Sequence, residues 1–198
     1  MLRDQIKTAV AALSPLGVTE TDHAQKGYDL DVQVAPEQVT AVAEIIRAAE
    51  FFIEAVTGVD WLGEQAAIAA EAAKKREAAA KKAAEAAAAA AAEAGDVAAA
   101  AAPAPAAPAA EVVLPPDVME VVYDFCHYQE NCRVVVRTRI PRDKPELPTI
   151  STIYPGANWH ERETHDFFGI RFLGHPDLSP LLLPEDADFH PLLKDFKA

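Results

Sequence analysis

The chain reads as an α+β domain: a mixed sheet of about four strands with helices packed on one face, an Ala-rich helical insert and an extended proline-rich C-terminal tail. Three observations predict this. Apolar residues recur at helical spacing near the N-terminus and after Pro36. They alternate at period two in segments beginning at Tyr28 and Cys132. The elements then run helix, strand, helix, strand, strand, strand, an order that suits helices on one face of a mixed sheet.

Leu2, Ile6, Val10 and Leu13 define the opening amphipathic helix. From Tyr28 to Val34, Leu30, Val32 and Val34 share one face and Asp29, Asp31 and Gln33 the other, as in a half-buried strand. Pro36 suits the first turn of a second helix and Glu37 the positive end of its dipole. The core stripe of that helix is Val39, Val42, Ala43, Ile46 and Ala49. Phe51 to Trp61, rich in β-branched and aromatic residues, predicts a second strand. Val118 to Tyr128 predicts a third and Cys132 to Ile140 a fourth, with Gln129-Glu130-Asn131 as the hairpin turn between them. In the fourth, Val134, Val136 and Ile140 oppose Arg133, Arg137 and Arg139.

The sheet domain is expected to comprise residues 1–61 and 117–169, interrupted by an insert over 62–116. Glu64 to Ala94 is almost all Ala, Glu, Lys and Arg, with Glu71–Lys75 and Glu77–Lys81 as favourable i,i+4 pairs. It predicts a solvated helix of about 45 Å at 1.5 Å per residue, followed after Gly95 by an extended Ala–Pro tract around Pro103, Pro105 and Pro108. Such an insert serves as a spacer or partner-catching arm, or is a surface loop lengthened at little entropic cost.

Composition excludes several functions. Acidic residues outnumber basic ones 31 to 18, a net charge of −13. That charge suits neither a nucleic acid partner nor direct contact with an anionic membrane. No apolar run approaches the roughly 20 residues of a membrane span, and the N-terminus has no secretory h-region. Cys126 and Cys132 cannot build a zinc or iron–sulfur site alone. They are expected to be reduced thiols, although their position on either side of a turn makes a cross-strand pair conceivable.

Pro155 opens a helix through Trp159 to Phe168, with Gly169 suited to its left-handed end. Trp159, Glu163, Asp166 and Phe167 share a side, with Arg162 beside them. Charges interleaved with aromatics make sense across an interface or in an internal polar network. An Arg162–Asp166 surface pair with Trp159 and Phe167 on the sheet explains the helix equally well. His160 and His165 evoke a zinc-hydrolase helix, but they stand at i,i+5, about 140° apart, where that chemistry needs i,i+4. The tail from Ile170 to Ala198 carries Pro176, Pro180, Pro184 and Pro191 together with eleven large apolar residues. Prolines forbid a long helix, and burying each leucine or phenylalanine is worth about 1.5–3 kcal/mol. The tail is therefore expected to dock on another chain.

The run Ala157-Asn158-Trp159-x-Glu161-Arg162-Glu163-x-x-Asp166-x-Phe168-Gly169-Ile170-x-Phe172-x-Gly174-His175-Pro176-Asp177-Leu178 resembles the C-subunit, or thirty-kilodalton subunit, of respiratory complex I, the proton-translocating NADH:quinone oxidoreductase. The ending Pro191-Leu192-x-Lys194-Asp195-Phe196 is similar to the C-terminal motif of that family. The resemblance implies a peripheral-arm subunit on the cytoplasmic side of the bacterial inner membrane, in a hetero-oligomer with homologues of the D-subunit and the B-subunit. No cofactor is expected in this chain; iron–sulfur clusters, flavin and quinone belong to partner subunits. No catalytic or metal residue is implied. Trp159, Glu161, Arg162, Glu163, Asp166, His175, Leu178, Leu192, Lys194, Asp195 and Phe196 would be interface or internal-network residues. Four positions depart from the family pattern: Ser179 and Pro180 replace two basic residues, Leu193 an arginine, and His165 an aromatic. These departures favour a divergent complex, so a membrane-bound energy-converting [NiFe] hydrogenase or a non-NADH quinone reductase is the alternative. A free adaptor and a metal-dependent hydrolase are more distant ones.

Overall fold

The computed structural model describes residues 2–64, 66–68, 70, 71, 74, 75 and 117–197. Two units are distinguished, residues 1–62 with 117–198, and residues 63–116. In the second unit the described residues from Glu64 to Lys75 are helical, and Lys75 Nζ sits 2.8 Å from Glu71, the i,i+4 pair expected there. The Glu77–Lys81 pair and the Ala–Pro tract lie outside the described residues.

The first unit is built on a five-stranded sheet in the order β1-β2-β5-β4-β3. Its elements are α1 (Leu2–Ala11), β1 (Gly17–Glu20), the one-turn α2 (His23–Lys26), β2 (Leu30–Val34), a 3₁₀ turn (Pro36–Gln38), α3 (Val39–Ala48), β3 (Phe52–Asp60), β4 (Val118–His127), β5 (Cys132–Pro141), β6 (Glu146–Pro148), α4 (Ala157–Phe168) and β7 (Arg171–Leu173). β2 runs parallel to β5, while β1–β2, β4–β5 and β3–β4 are antiparallel. The chain leaves β2, crosses through α3 to the far edge at β3, and returns through the β4–β5 hairpin to fill the gap. This is a split β-α-β arrangement.

Five strands stand where about four were expected. β1 escaped because four residues starting at Gly17 are too short for a period to declare itself. β6 and β7, which form a separate two-stranded parallel sheet, are three residues each, and their pairing spans the whole of α4. Only the tertiary fold brings them together.

The register explains the one-sided core. Leu30, Val32 and Val34 stand beside Val134, Val136 and Thr138, which stand beside Phe125, Tyr123 and Val121. All are buried, and α1, α3 and α4 cover this face with Ile6, Val10, Val42, Ile46 and Ala157. The opposite face is an ion-pair ladder. Arg137 bridges Asp31 at 3.0 Å and Glu120 at 3.1 Å, Arg139 takes the second oxygen of Glu120 at 3.1 Å, and Arg133 pairs with Glu54. Glu54 is the residue that the β3 bulge between Ile53 and Ala55 leaves out of register.

The cysteines cannot pair across the hairpin, since Cys126 stands opposite Arg133 and Cys132 opposite His127. Adjacent register positions put the two thiols on opposite faces, and both are free. Burial pushes the Cys132 thiol up to about 11, so it stays protonated at neutral pH.

α4 docks on β3 at Gly58. A Cβ there would meet the Phe168 ring at 2.6 Å, so only glycine admits this approach. The exposed edge of β3 is partly closed by side chains: the Thr164 hydroxyl donates to Val56 O at 3.2 Å and the Tyr154 hydroxyl to Phe51 O at 3.1 Å. Gly58→Ala should destabilise the fold by about 1–3 kcal/mol, with part of the loss recovered in the Gly58→Ala/Phe168→Leu double variant. Denaturant midpoints of the four proteins in the cycle measure it.

Candidate functional site

The residues singled out from α4 and the tail meet on one side of the sheet domain, where the tail is strapped to its own fold. The strap begins as core. Ile170 and Phe172 are buried in the hydrophobic cluster, so the first residues of the predicted docking tail belong to the domain itself. Beyond Gly174 the main chain is pinned by side chains from α4, β3 and the strap itself.

Asp166 is the first anchor. This residue, 4% exposed, accepts through its carboxylate the amides of Leu181 at 2.7 Å and Leu182 at 2.9 Å, with Leu183 at 3.5 Å. Arg162 is the second. Its guanidinium donates to Ser179 O at 3.1 Å, Ser179 Oγ at 3.1 Å and Pro180 O at 3.2 Å, and lies 5.4 Å from the Trp159 ring centre. These two charges do not pair with each other. The polar network prevails over the surface ion pair, because a proline-broken strand has amides and carbonyls that no ladder satisfies.

The third anchor was not legible in the sequence. Asp60, at the end of β3, is 4% exposed and receives Arg142 through both oxygens, at 3.0 and 3.1 Å. The Leu62 amide donates to it at 3.0 Å and the Lys194 amide at 2.9 Å. Burial pushes the Asp60 carboxyl up, but Arg142 and the two amides outweigh burial and hold it below the usual carboxylate range. Arg142 reaches on to Asp195 at 2.6 Å, and Lys194 Nζ lies 5.7 Å from the Trp61 ring centre. The acid that ends the run Ala55-Val56-Thr57-Gly58-Val59 was the available signal for Asp60. Its partner Arg142, 82 residues away, was not predictable from either local pattern.

His190 makes the fourth anchor. Its Nδ1 is 2.8 Å from Asp166 O, and its ring packs against Gly169, whose φ of 73° ends α4 in the left-handed conformation expected of it. A Cβ at Gly169 would meet that ring at 2.7 Å, so the residue is constrained twice. His165, one of the two histidines of the hydrolase comparison, directs its Nδ1 to Ile170 O at 2.9 Å.

Glu161 and His175 sit beneath the strap, both side chains fully buried. Glu161 accepts the Ile150 amide at 2.8 Å and the Thr149 hydroxyl, which is itself 2.8 Å from Ser151 Oγ. The Ser151 hydroxyl can donate to Thr149 Oγ1 while Thr149 donates to Glu161, so every oxygen of the set has a partner. Burial, opposed by the Thr149 and Ile150 hydrogen bonds, pushes this carboxyl up to about 7. The Asp177 amide donates to His175 Nδ1 at 3.2 Å, which places the hydrogen of the neutral ring on Nε2, 3.8 Å from Glu161. Burial also lowers the imidazole pKa, so it shifts both members of the pair toward their neutral forms.

The remaining predicted residues are at the surface. Trp159 is 59% exposed, Leu192 53% and Phe196 38%, whereas Leu178 packs half-buried against the core. Glu163 is half-buried and makes no ion pair among the described residues. Leu182, 59% exposed, and Phe189, 40%, extend the apolar surface, and the Phe189 and Phe196 rings stack at 5.6 Å. Thus the strap is held by its backbone and turns several of its apolar side chains outward.

A split β-α-β sheet domain with its own C-terminal strap is the class that this geometry defines. The chain belongs to the family described as respiratory-chain NADH dehydrogenase, 30 Kd subunit, which it matches over residues 32–198. It is 45% identical over 76 residues to the C-subunit of NADH-quinone oxidoreductase from Roseiflexus sp. (strain RS-1), covering 38% of this chain and 44% of that protein. It is 42% identical over 82 residues to the C-subunit of F(420)H(2) dehydrogenase from Methanosarcina mazei, covering 41% and 52%. With the C/D-subunit of NADH-quinone oxidoreductase from Methylococcus capsulatus it shares 42% identity over 85 residues, 43% of this chain and 14% of that one. The matches to the two C-subunit relatives span about half of their length. A trypsin-resistant fragment of Nqo5 superposes with a TM-score of 0.54 at 22% identity, covering 90% of this chain and all of that one. A chain of an archaeal membrane-bound sulfane sulfur reductase gives 0.63 at 20% identity, covering 98% and 85%. Those two likenesses concern the fold alone.

Two measurements test the anchors. Glu161 with a pKa of about 7 takes up a proton that the unfolded chain, at 4.5, has released. Its contribution to stability is therefore complete below pH 4.5 and lost as pH rises to about 7, a total of about 3 kcal/mol. Stability of Glu161→Gln should lack this fall, so the wild-type-minus-variant difference in unfolding free energy should drift steadily across that window. Asp166→Ala should accelerate amide hydrogen exchange at Leu181 and Leu182 by about tenfold or more while leaving β4 and β5 protected.

Proposed function

We propose that this chain is a non-catalytic peripheral-arm subunit of a proton-translocating NADH:quinone oxidoreductase, which holds the quinone module together by docking on the D-subunit homologue. The observation that carries the reading is the outward-facing apolar surface of the strap and the helix beside it. Trp159, Leu182, Phe189, Leu192 and Phe196 remain substantially exposed while the strap backbone is pinned by four polar anchors. Exposed large apolar groups gathered in this way mark an interaction site on a soluble surface. Pre-ordering the main chain lowers the entropic cost of binding, so the side chains can contribute to affinity. Family membership supports the assembly, and a relative named as a joint C/D-subunit supports the D-subunit as the neighbour.

In this reading Glu161, Asp166, Arg162, His175, Lys194 and Asp195 shape the strap from inside, and the apolar residues meet the partner. Iron–sulfur clusters, flavin and quinone are carried by partner subunits, including a B-subunit homologue. The complex sits at the cytoplasmic face of the bacterial inner membrane through its other subunits. Among the described residues no helix is long and apolar enough to cross a membrane. A second reading keeps the architecture and changes the electron donor. The F(420)H(2) dehydrogenase relative and the sulfane sulfur reductase fold favour a non-NADH quinone reductase or an energy-converting hydrogenase of the same plan.

Tagged chain purified from its native host should bring down D-subunit and B-subunit homologues, and the co-purifying electron-input subunits decide between the two readings. The Leu192→Ser/Phe196→Ser variant should retain the wild-type stability within about 1 kcal/mol yet recover about tenfold less D-subunit homologue. Undiminished recovery would refute docking through the strap.

A further inference from the structure

The charges around the apolar surface specify what must lie opposite it. The Ala187 amide donates to Pro184 O at 3.0 Å, closing a turn that carries Glu185 and Asp186 at its tip, with Asp188 just beyond. Leu182 and Phe189 flank this turn. All three carboxylates are exposed, and none has an ion-pair partner among the described residues. The cations that could neutralise them are engaged elsewhere. Arg142 is held between Asp60 and Asp195. Arg162 is committed to the carbonyls of Ser179 and Pro180, and Lys194 lies over Trp61 with its Nζ 3.4 Å from Leu62 O. Lys197 is one positive charge against three negative ones.

Exposed carboxylates beside an apolar patch are desolvated when the patch is covered, and desolvation is tolerated only if opposite charges arrive with the covering surface. From this we infer that the strap is received by an apolar groove of the D-subunit homologue edged with arginine or lysine side chains facing Glu185, Asp186 and Asp188. The inference rests on the docking reading and adds the chemistry of the partner. An anionic lipid surface would be repelled by the same turn. A second copy of this chain would bring another net −13 and a face whose cations are mostly engaged. A basic-edged protein groove satisfies both the apolar surface and the charge. It also steers association, because unlike charges at the edge of an interface act chiefly on the encounter rate.

The test measures binding of the full-length chain to purified D-subunit homologue, following association and dissociation rates as salt is varied. Three proteins are compared: wild type, Glu185→Gln/Asp186→Asn/Asp188→Asn, and Leu192→Ser/Phe196→Ser. The neutralised variant replaces exposed, unpaired groups and should fold as wild type. Its association rate at low salt should fall about tenfold and its salt dependence should flatten, with little change in dissociation rate. The apolar variant should instead dissociate faster with its salt dependence intact. An unchanged association rate and salt slope in the neutralised variant, alongside the expected loss in the apolar one, overturns the basic groove and leaves docking standing. Wild type that fails to bind, or an apolar variant that binds as wild type does, overturns docking itself. Sedimentation of wild type as a dimer that the apolar variant abolishes would assign the surface to a second copy and overturn both.

Discussion

Buried carboxylates that accept main-chain amides are the interaction on which the rest of this structure depends. Asp166 and Asp60 stand at two places where the C-terminal strap passes over the sheet domain, and each takes amides that prolines have removed from any ladder. Such bonds are charge-assisted and shielded from water, so they hold a backbone that hydrophobic packing alone would leave free to slide. Without them the strap's amides would prefer solvent, and the apolar side chains would have no fixed display.

Anchoring by backbone separates two jobs that side chains usually share. The inward interactions at Arg162, Asp166, His190 and Asp60 set the path of the chain. The outward residues Trp159, Leu182, Leu192 and Phe196 then need not pack internally. The two faces of the sheet show a related division. The covered face buries an aliphatic and aromatic core under three helices, while the open face neutralises itself through Arg133, Arg137 and Arg139. A face that satisfies its own charges has little to offer a partner; the strap, with unsatisfied apolar and acidic groups, has much.

Glu161 and His175 add a layer beneath the strap. Burial pushes both toward their neutral forms, so the contact that joins the chain entering the strap to α4 is a weak ion pair at most. A buried ion pair of poor geometry recovers less than its desolvation costs, and 3.8 Å is too long to recover it. Thr149 and the Ile150 amide donate to the Glu161 carboxyl and oppose the effect of burial, with Ser151 in turn bonded to Thr149.

The central strands, the two long helices before them and the Gly169-terminated helix could all be read locally, because period and capping depend on neighbours within a few residues. The motif from Ala157 to Leu178 likewise carried the family resemblance without any three-dimensional information. Local pattern could not reveal β1, or that β6 pairs with β7 across α4, since three- and four-residue strands acquire meaning only beside their partners. Nor could it show that Asp60 and Arg142 meet, or that Arg162 and Asp166 turn away from each other toward the strap. By itself the sequence determined that a proline-broken, apolar tail must be covered. How much of it the domain covers, and which side chains stay exposed, was decided by the tertiary structure, because burial and hydrogen-bond pairing are properties of contacts between segments distant along the chain.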